Sequence, residues 1–204
     1  MSEKKQLELL KNHKISIIDL EESHQSAVCI PLIETEEGYE VLFEVRSPKI
    51  IHQPGDICFP GGMIEPDEKA IDAAVREICE ELCIKSEQVQ LLGAVDILIG
   101  SSIVVYPYAV LLKNYENTFS KAEVEKVFSV PLDFFLQIEP EVYTVERQTI
   151  LPENFPYERI VGGKNYKWRR RLENIYFYQY NDYSIWGMTA KILYAFVNIW
   201  KNLL

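Results

Sequence analysis

The sequence predicts an α/β fold in which helices cover both faces of a mixed β-sheet. Three observations favour this class. The strand-like segments 26–34 and 39–47 flank a turn at Thr35-Glu36-Glu37-Gly38, which predicts a hairpin. An amphipathic helical pattern follows the glycine pair at residues 61–62. A second helical pattern begins near Ile185 and ends at about Asn202.

Length and composition bound the class of protein. With 204 residues, 48% of them hydrophobic, we expect a single domain over residues 1–204, in which the first ~25 residues form a peripheral extension. The net charge of −10 argues against a nucleic-acid or anionic-membrane surface. No signal-peptide core and no membrane-spanning apolar run is present, so the expected compartment is the cytoplasm.

The first part of the chain predicts peripheral structure and then the hairpin. Residues 1–14 suggest a short amphipathic helix, and residues 15–20 a short extended piece. Pro31 within the first strand indicates an edge strand or a bulge, because proline cannot donate a hydrogen bond to a neighbour.

After the central helix, strands alternate with turns. We predict a strand over 88–99 bent at Gly93, then a strand over 103–112 interrupted at Pro107. A helix is predicted to follow Phe119, with Ser120 and Glu123 as a capping box. Later segments predict strands at 142–150 and 175–180, a loop at 152–164, and the terminal helix.

Three carboxylates share one face of the central helix. Glu77, Glu80 and Glu81 stand at positions i, i+3 and i+4, where like charges repel. Arg76 can reach Glu80, but one arginine cannot neutralise three glutamates, whereas a hard divalent cation can. An apolar stripe is predicted to seat the helix on the sheet; it comprises Ile71, Ala74, Val75, Ile78 and Leu82.

This segment resembles the Nudix box position by position. Gly62, Glu68 and the run Arg76-Glu77-Ile78-x-Glu80-Glu81-x-x-Ile84 match over 23 residues, while Cys83 replaces the glycine usual in the family. The resemblance implies a Nudix fold, which is an α/β/α sandwich, and hydrolysis of diphosphates with Mg²⁺ or Mn²⁺. It further implies that the carbonyl of Gly61 and the carboxylates of Glu77, Glu80 and Glu81 bind metal.

Other positions of the site follow from the same resemblance. Glu77 is expected to orient or deprotonate the attacking water, Arg76 to brace the glutamates, and Glu68 to hold the loop against the helix. A further metal-binding carboxylate is expected outside the box, with Glu123 as the candidate. Glu125 and Asp96 stay open as substitutes, and a plain capping role stays open for Glu123.

A second resemblance concerns the substrate. Within the Nudix proteins, the coenzyme A pyrophosphatase group has segments similar to Val41–Ser47, Gly55 and Phe59-Pro60-Gly61-Gly62. Two later runs are also similar to it: Glu123-Val124 leading to Phe128-x-x-Pro131-Leu132, and Trp186-Gly187-x-Thr189-Ala190. Ile51 stands where that group usually has a basic residue.

These matches imply hydrolysis of coenzyme A or acyl-CoA to 4′-phosphopantetheine (or its acyl form) and adenosine 3′,5′-bisphosphate. The alternatives are another nucleoside diphosphate derivative, such as ADP-ribose, a dinucleotide or a nucleoside triphosphate, and a non-catalytic binding module. The retained box glutamates argue against the last.

Arg46, at the end of a strand, is the candidate for binding this small-molecule diphosphate. Lys49 and His52 fit a solvated loop better than a phosphate site. The basic run Lys167-Trp168-Arg169-Arg170-Arg171 fits a solvated loop, a phosphate site or the interface of a homodimer. Tyrosines 176, 178, 180 and 183 offer stacking surfaces, although strand alternation places half of them in the core.

Four cysteines are present, at positions 29, 58, 79 and 83. No two are spaced as Cys-x-x-Cys, and only three histidines accompany them, so a zinc site is not expected. We interpret all four as free thiols.

Overall fold

The computed structural model describes residues 8, 11, 12, 17, 18, 20 and 23–203. Most of the helix predicted over 1–14 and half of the extended piece predicted over 15–20 lie outside these residues. Residues 23–203 contain the strands β1 (His24–Thr35), β2 (Gly38–Arg46), β3 (Ile57–Cys58), β4 (Gly61–Met63), β5 (Val89–Ala94), β6 (Leu98–Ile99), β7 (Ile103–Leu112), β8 (Val124–Pro131), β9 (Glu141–Arg147), β10 (Arg171–Tyr180) and β11 (Tyr183–Trp186). The α-helices of the same range are α1 (Ala70–Leu82), α2 (Leu132–Gln137) and α3 (Gly187–Lys201).

The first eight strands form one mixed sheet. Its central path runs β3-β2-β1-β7-β5, with β4 added to β1, β6 to β7 and β8 to β2. β1 and β7 are parallel, whereas the other pairs are antiparallel. The predicted hairpin is confirmed, since β1 and β2 pair across a turn with Thr35 opposite Gly38.

Two prolines in the centre of this sheet lie where a strand changes partner. β1 pairs with β4 through residues 26–28 and with β2 through residues 32–35, and Pro31 lies between these stretches. β7 pairs with β6 and then with β5, and Pro107 lies between them. A residue without an N–H is tolerated there because no antiparallel neighbour needs it. The predictions of an edge strand at Pro31 and an interrupted strand at Pro107 are wrong.

The strand predicted over 88–99 is present as two strands. Its predicted bend at Gly93 is confirmed, because the pairing of β5 with β7 shifts register between Leu91 and Gly93. The pairing resumes on β6 after a short break.

The prediction of a helix directly after Phe119 is wrong, because the segment Val124–Pro131 is the strand β8. The Ser120 carbonyl accepts hydrogen bonds from the backbone N–H groups of Glu123 and Val124 in a turn, and no capping box forms there. The chain then pairs along β2 as β8, which places Phe128 opposite Phe43. The i, i+3 spacing of the valines in β8 imitates a helix, but pairing with a buried strand outweighs such local preference.

Three strands form a second, antiparallel sheet in the order β11-β10-β9. The strand predicted over 142–150 ends at Arg147, and the one predicted from residue 175 begins at Arg171, because all of β9 pairs with residues 171–177 of β10. β11 occupies residues 183–186, so the terminal helix starts at Gly187 rather than at Ile185.

Helices and sheet strands alternate in layers, which confirms the predicted class. One core lies between α1 and the main sheet and contains Ala27, Cys29, Ala74, Ile78 and Leu82. The other face carries a larger core with α2, α3 and the second sheet, built from Ile30, Leu32, Phe43, Phe135, Leu193 and Phe196 among others. Alternate residues of β1 enter opposite cores, as the period of a strand requires. Over the described residues, no helix combines the length and apolarity needed to cross a membrane.

Candidate active site

The glycine pair brings strand β4 against both its neighbouring strand and helix α1. A Cβ on Gly61 would lie 2.3 Å from the Ala27 carbonyl oxygen. A Cβ on Gly62 would lie 2.3 Å from Oε1 of Glu77. Neither position has room for a side chain, so both must be glycine if the backbone is to approach the carboxylates this closely.

Glu81 is the inward-facing carboxylate of α1. It is 3% exposed, and its Oε2 accepts a hydrogen bond of 2.8 Å from the backbone N–H of Gly61. Burial, followed by the charge of nearby Glu44, raises the pKa of Glu81. The predicted apolar stripe is therefore shifted: Ile71 and Val75 are only half-buried, and Glu81 joins Ala73, Ala74, Ile78 and Leu82 on the buried face.

Arg76 connects the loop after β4 to the acidic face of the helix. Its Nε and Nη2 donate to the two carboxylate oxygens of Glu68, each at 3.0 Å. Its Nη1 lies 2.7 Å from Oε1 of Glu77 and 3.7 Å from Oε2 of Glu80. Nη2 also donates to the Met63 carbonyl at 3.1 Å. The guanidinium thus holds Glu77 in place and ties the helix to the loop.

The remaining carboxylates of the face differ in exposure. Burial raises the pKa of Glu77, the hydrogen bond and charge of Arg76 oppose this, and the charges of Glu80 and Glu123 add to it. The side chain of Glu80 is 60% exposed. The arrangement combines one buried, one half-buried and one solvent-facing carboxylate on a single turn of helix.

Glu123 lies close enough to the carboxylates of α1 for its charge to act on them, although it is far away in sequence. Its carbonyl accepts a hydrogen bond of 2.7 Å from the N–H of Ser47. Its charge raises the pKa values of Glu44, Glu77 and Glu81. Since no helix starts at Ser120, the capping role left open for Glu123 does not apply.

A cavity of about 510 Å³ extends from the glycine pair to the start of α3. Arg46 lines it, with its Nε donating to the His52 carbonyl at 3.2 Å. Trp186 and Met188, both more than two-fifths exposed, line the opposite end. Lys49 and His52 do not line the cavity. This volume falls in the range of small-molecule sites.

Comparison with known proteins identifies the family. Residues 23–150 match the model of the NUDIX domain. The chain belongs to the Nudix family. Its relatives include the mouse peroxisomal coenzyme A diphosphatase NUDT7, 32% identical over 71% of this chain, and the match spans 64% of the mouse protein. The uncharacterized Nudix hydrolase NudL of Photorhabdus laumondii is 32% identical over 84% of this chain and 82% of its own length.

The fold comparison agrees with this assignment. A MutT/nudix family protein from Enterococcus faecalis superposes with a TM-score of 0.50 at 15% identity, over 98% of this chain and 70% of that one. At this identity the likeness shows the Nudix fold alone.

Glu44, which the sequence analysis did not single out, lies next to the predicted site residues. Glu44 is 1% exposed and accepts a hydrogen bond of 3.2 Å from the Cys58 thiol through Oε1. Its Oε2 has no hydrogen-bond partner among the residues described. Burial raises the pKa of Glu44, and the hydrogen bond from Cys58 opposes this. In the sequence, Glu44 could have been noticed as the one charged residue inside the otherwise apolar run 41–45.

Other candidates lie away from this cluster. Glu125 and Asp96 are not among the principal charges acting on the box carboxylates. Tyr178 is buried in the core, and Tyr183 stacks on Phe128 with the ring centroids 3.7 Å apart. In the basic run, Arg170 is exposed and pairs with Glu146 at 3.2 Å, whereas Arg171 lines a second cavity next to the first.

Cys83 occupies the position of the family glycine and adopts that residue's backbone conformation. Its φ of 53° and ψ of 43° are left-handed, and its N–H donates to the Cys79 carbonyl. The helix therefore ends as a glycine-capped helix does, at the cost of placing a Cβ in a crowded conformation.

The carboxylates suit a hard cation by chemistry. All donors are oxygens, burial and the charges of neighbouring carboxylates raise the pKa values of Glu77 and Glu81, and one buried oxygen of Glu44 lacks a partner. Within the described residues, however, no three acidic, His or Cys side chains already surround one ion-sized position. Arg76 binds Glu77, and the Gly61 N–H binds Glu81, so these side chains point to protein partners.

Proposed function

We propose that this chain is a metal-dependent pyrophosphatase that hydrolyses the diphosphate of coenzyme A or acyl-CoA. The products are 4′-phosphopantetheine, or its acyl form, and adenosine 3′,5′-bisphosphate. The observation that carries the proposal is the position of the Gly61–Gly62 turn: it lines the cavity on one side and contacts Glu77 and Glu81 on the other. A diphosphate in the cavity therefore lies next to the acidic cluster.

The choice of substrate rests on two supports. The segment from Arg46 to Gly62 is similar to the coenzyme A pyrophosphatase group, and its arginine and glycines line one wall of the cavity. A relative 32% identical to this chain is a coenzyme A diphosphatase. The proposal includes a single domain over residues 1–204, working in the cytoplasm alone or as a homodimer, without nucleic-acid or membrane partners.

The metal would be held by Glu77, Glu80, Glu81, Glu123 and the carbonyl of Gly61, with Mg²⁺ or Mn²⁺ as the ion. A bound divalent ion neutralises diphosphate charge and lowers the pKa of water. Glu44 adds a buried carboxyl group behind this set.

The protein groups position the reactants. Glu77, half-buried and held by Arg76, orients the attacking water and accepts its proton. Glu68 keeps Arg76 in place through two hydrogen bonds, which is a positioning role. Arg46 neutralises a diphosphate oxygen from the cavity wall, where a charge-assisted hydrogen bond gains strength away from water.

The decisive experiment is a substrate panel with identified products. The purified protein is incubated with Mg²⁺ or Mn²⁺ and with coenzyme A, acetyl-CoA, ADP-ribose, a dinucleoside polyphosphate or a nucleoside triphosphate. We expect coenzyme A and its thioester to give the highest kcat/KM, with adenosine 3′,5′-bisphosphate as product. If coenzyme A stays intact while another diphosphate is cleaved, the substrate assignment fails.

A second candidate is hydrolysis of a different nucleoside diphosphate derivative. Ile51, where the coenzyme A group usually has a basic residue, is 90% exposed and offers no charge to a phosphate. In the same panel, this alternative predicts preference for ADP-ribose, a dinucleotide or a nucleoside triphosphate.

A further inference from the structure

A second hollow of about 480 Å³ adjoins the cavity that reaches the glycine pair. Its walls come from β9, β10 and the start of α3, together with residues 99–101 at the end of β6. Arg147, Glu173 and Lys191 line both hollows. A ligand lying against Gly61 and Gly62 can therefore extend into the second hollow without crossing a barrier of protein.

The second hollow is basic, in a chain of net charge −10. Arg147, Arg171 and Lys191 line it together with one carboxylate, Glu173, which forms an ion pair with Arg147. Among residues 23–203, no carboxylate lies within ion-pair distance of Arg171 or Lys191. Concave walls that bear uncompensated positive charge attract anions.

Polar groups of the same walls suit an anion with several oxygens. Thr144 donates its hydroxyl to Oδ1 of Asn174 at 2.8 Å, and both residues line the hollow. This contact uses the acceptor of the amide and leaves its N–H donors for a ligand. Arginine and lysine with an amide donor form a set that phosphate groups bind well.

We propose that Arg171 and Lys191 bind a phosphomonoester of the substrate that is separate from the cleaved diphosphate. This inference rests on the proposed function, under which that group is the 3′-phosphate of the adenosine part of coenzyme A. The inference gives different roles to two neighbours in the basic run of residues 167–171. Arg171 faces the ligand, whereas Arg170 pairs with Glu146 and lines neither hollow.

The test compares coenzyme A with 3′-dephospho-coenzyme A. Arg171→Gln and Lys191→Gln should each lower kcat/KM for coenzyme A about tenfold through KM, as expected for the loss of one hydrogen bond between charged groups. Activity on the dephosphorylated substrate should change less than about twofold, because it has no group to bind there. Lys191→Arg should keep most of the preference for coenzyme A over 3′-dephospho-coenzyme A, because the positive charge is retained. Arg170→Gln removes a positive charge one residue away and should leave kcat/KM for both substrates unchanged.

A binding measurement separates this inference from the proposed function. Calorimetry with adenosine 3′,5′-bisphosphate and with AMP needs no turnover, and the two glutamine variants should weaken only the bisphosphate. If the wild type does not cleave coenzyme A yet shows this binding difference, the phosphomonoester site stands and the proposed function fails. If coenzyme A is cleaved but the variants affect both substrates equally, or Arg170→Gln has the same effect, the inference is overturned and the proposed function stands.

Discussion

Gly62 and Glu77 are in such close contact that the residue on β4 determines where the carboxylate on α1 can lie. A Cβ at position 62 would come within 2.3 Å of Glu77 Oε1 and 2.4 Å of its Cδ. Real side chains do not tolerate such separations, so a methyl group there must displace the carboxylate. The glycine of the turn thereby sets the geometry of a residue fifteen positions later in the chain.

Gly62→Ala should accordingly lower kcat by ~100-fold, which is the expected effect of moving a reacting group by about 1 Å. Steady-state kinetics with Mg²⁺ and coenzyme A measures it. Gly93→Ala is the matched control, since a Cβ at position 93 meets nothing within 4 Å. Equal activity of the two variants would show that Glu77 does not need its present position.

Arg76 and Glu68 are expected to act as one unit. Glu68→Gln and Arg76→Lys should each reduce turnover and stability, because both break the paired hydrogen bonds between these residues. The double variant should be no worse than the poorer single one, so that urea unfolding of the four proteins gives a favourable coupling free energy between the two residues. Strictly additive losses would mean that the pair is not a brace for Glu77.

The carboxylates at positions 80 and 123 are expected to hold the metal. Glu80→Gln should lower turnover by orders of magnitude without unfolding the protein, as checked by circular dichroism. Glu123→Gln should raise the Mg²⁺ concentration for half-maximal activity by at least ~10-fold. Glu125→Gln provides the control two residues away. A larger effect at position 125 than at 123 would reassign the extra ligand.

Cys83→Gly should stabilise the protein. The residue is held at φ 53°, where a Cβ costs about 1–2 kcal/mol, and the added flexibility of glycine in the unfolded chain offsets part of that. We expect a gain of about 1 kcal/mol in the free energy of unfolding, measured with urea. Cys83→Ala keeps the Cβ and should give no such gain. A destabilised glycine variant would contradict the role of the left-handed cap.

Alkaline pH should destabilise the protein through Cys29. Burial raises the pKa of this thiol from 9.0 to about 12, and the thiol donates to the Ala74 carbonyl at 3.3 Å. The unfolded chain releases the proton near pH 9 while the folded chain keeps it, so stability falls as pH rises from 9 towards 12. The stability advantage of the wild type over Cys29→Ala should shrink by about 1.4 kcal/mol between pH 7 and pH 10, measured with urea. An unchanged difference would show that the thiol ionises equally in both states.

The parts of the fold that depend on local pattern were predictable. The hairpin around Gly38, the box helix and the strand bend at Gly93 follow from turn residues and periodicity alone. The capping-box pattern of Ser120 and Glu123 predicts a helix where the structure has the strand β8. Only the partner strand β2 reveals that this segment is extended.

The same division applies to the site. The acidic helix, Arg76, the glycine pair and the resemblance to the Nudix family can all be identified from the amino-acid sequence, because these residues lie within one short segment with strict spacing. Tertiary structure alone placed Glu44 behind the cluster, whereas Glu123 was already a candidate from the family resemblance and the structure brings its charge close to Glu77 and Glu81. It also brought Arg147, Arg171 and Lys191 into one hollow, although they come from three separate elements. Long-range contacts of this kind arise from the packing of a second sheet against the main sheet, which local periodicity does not encode.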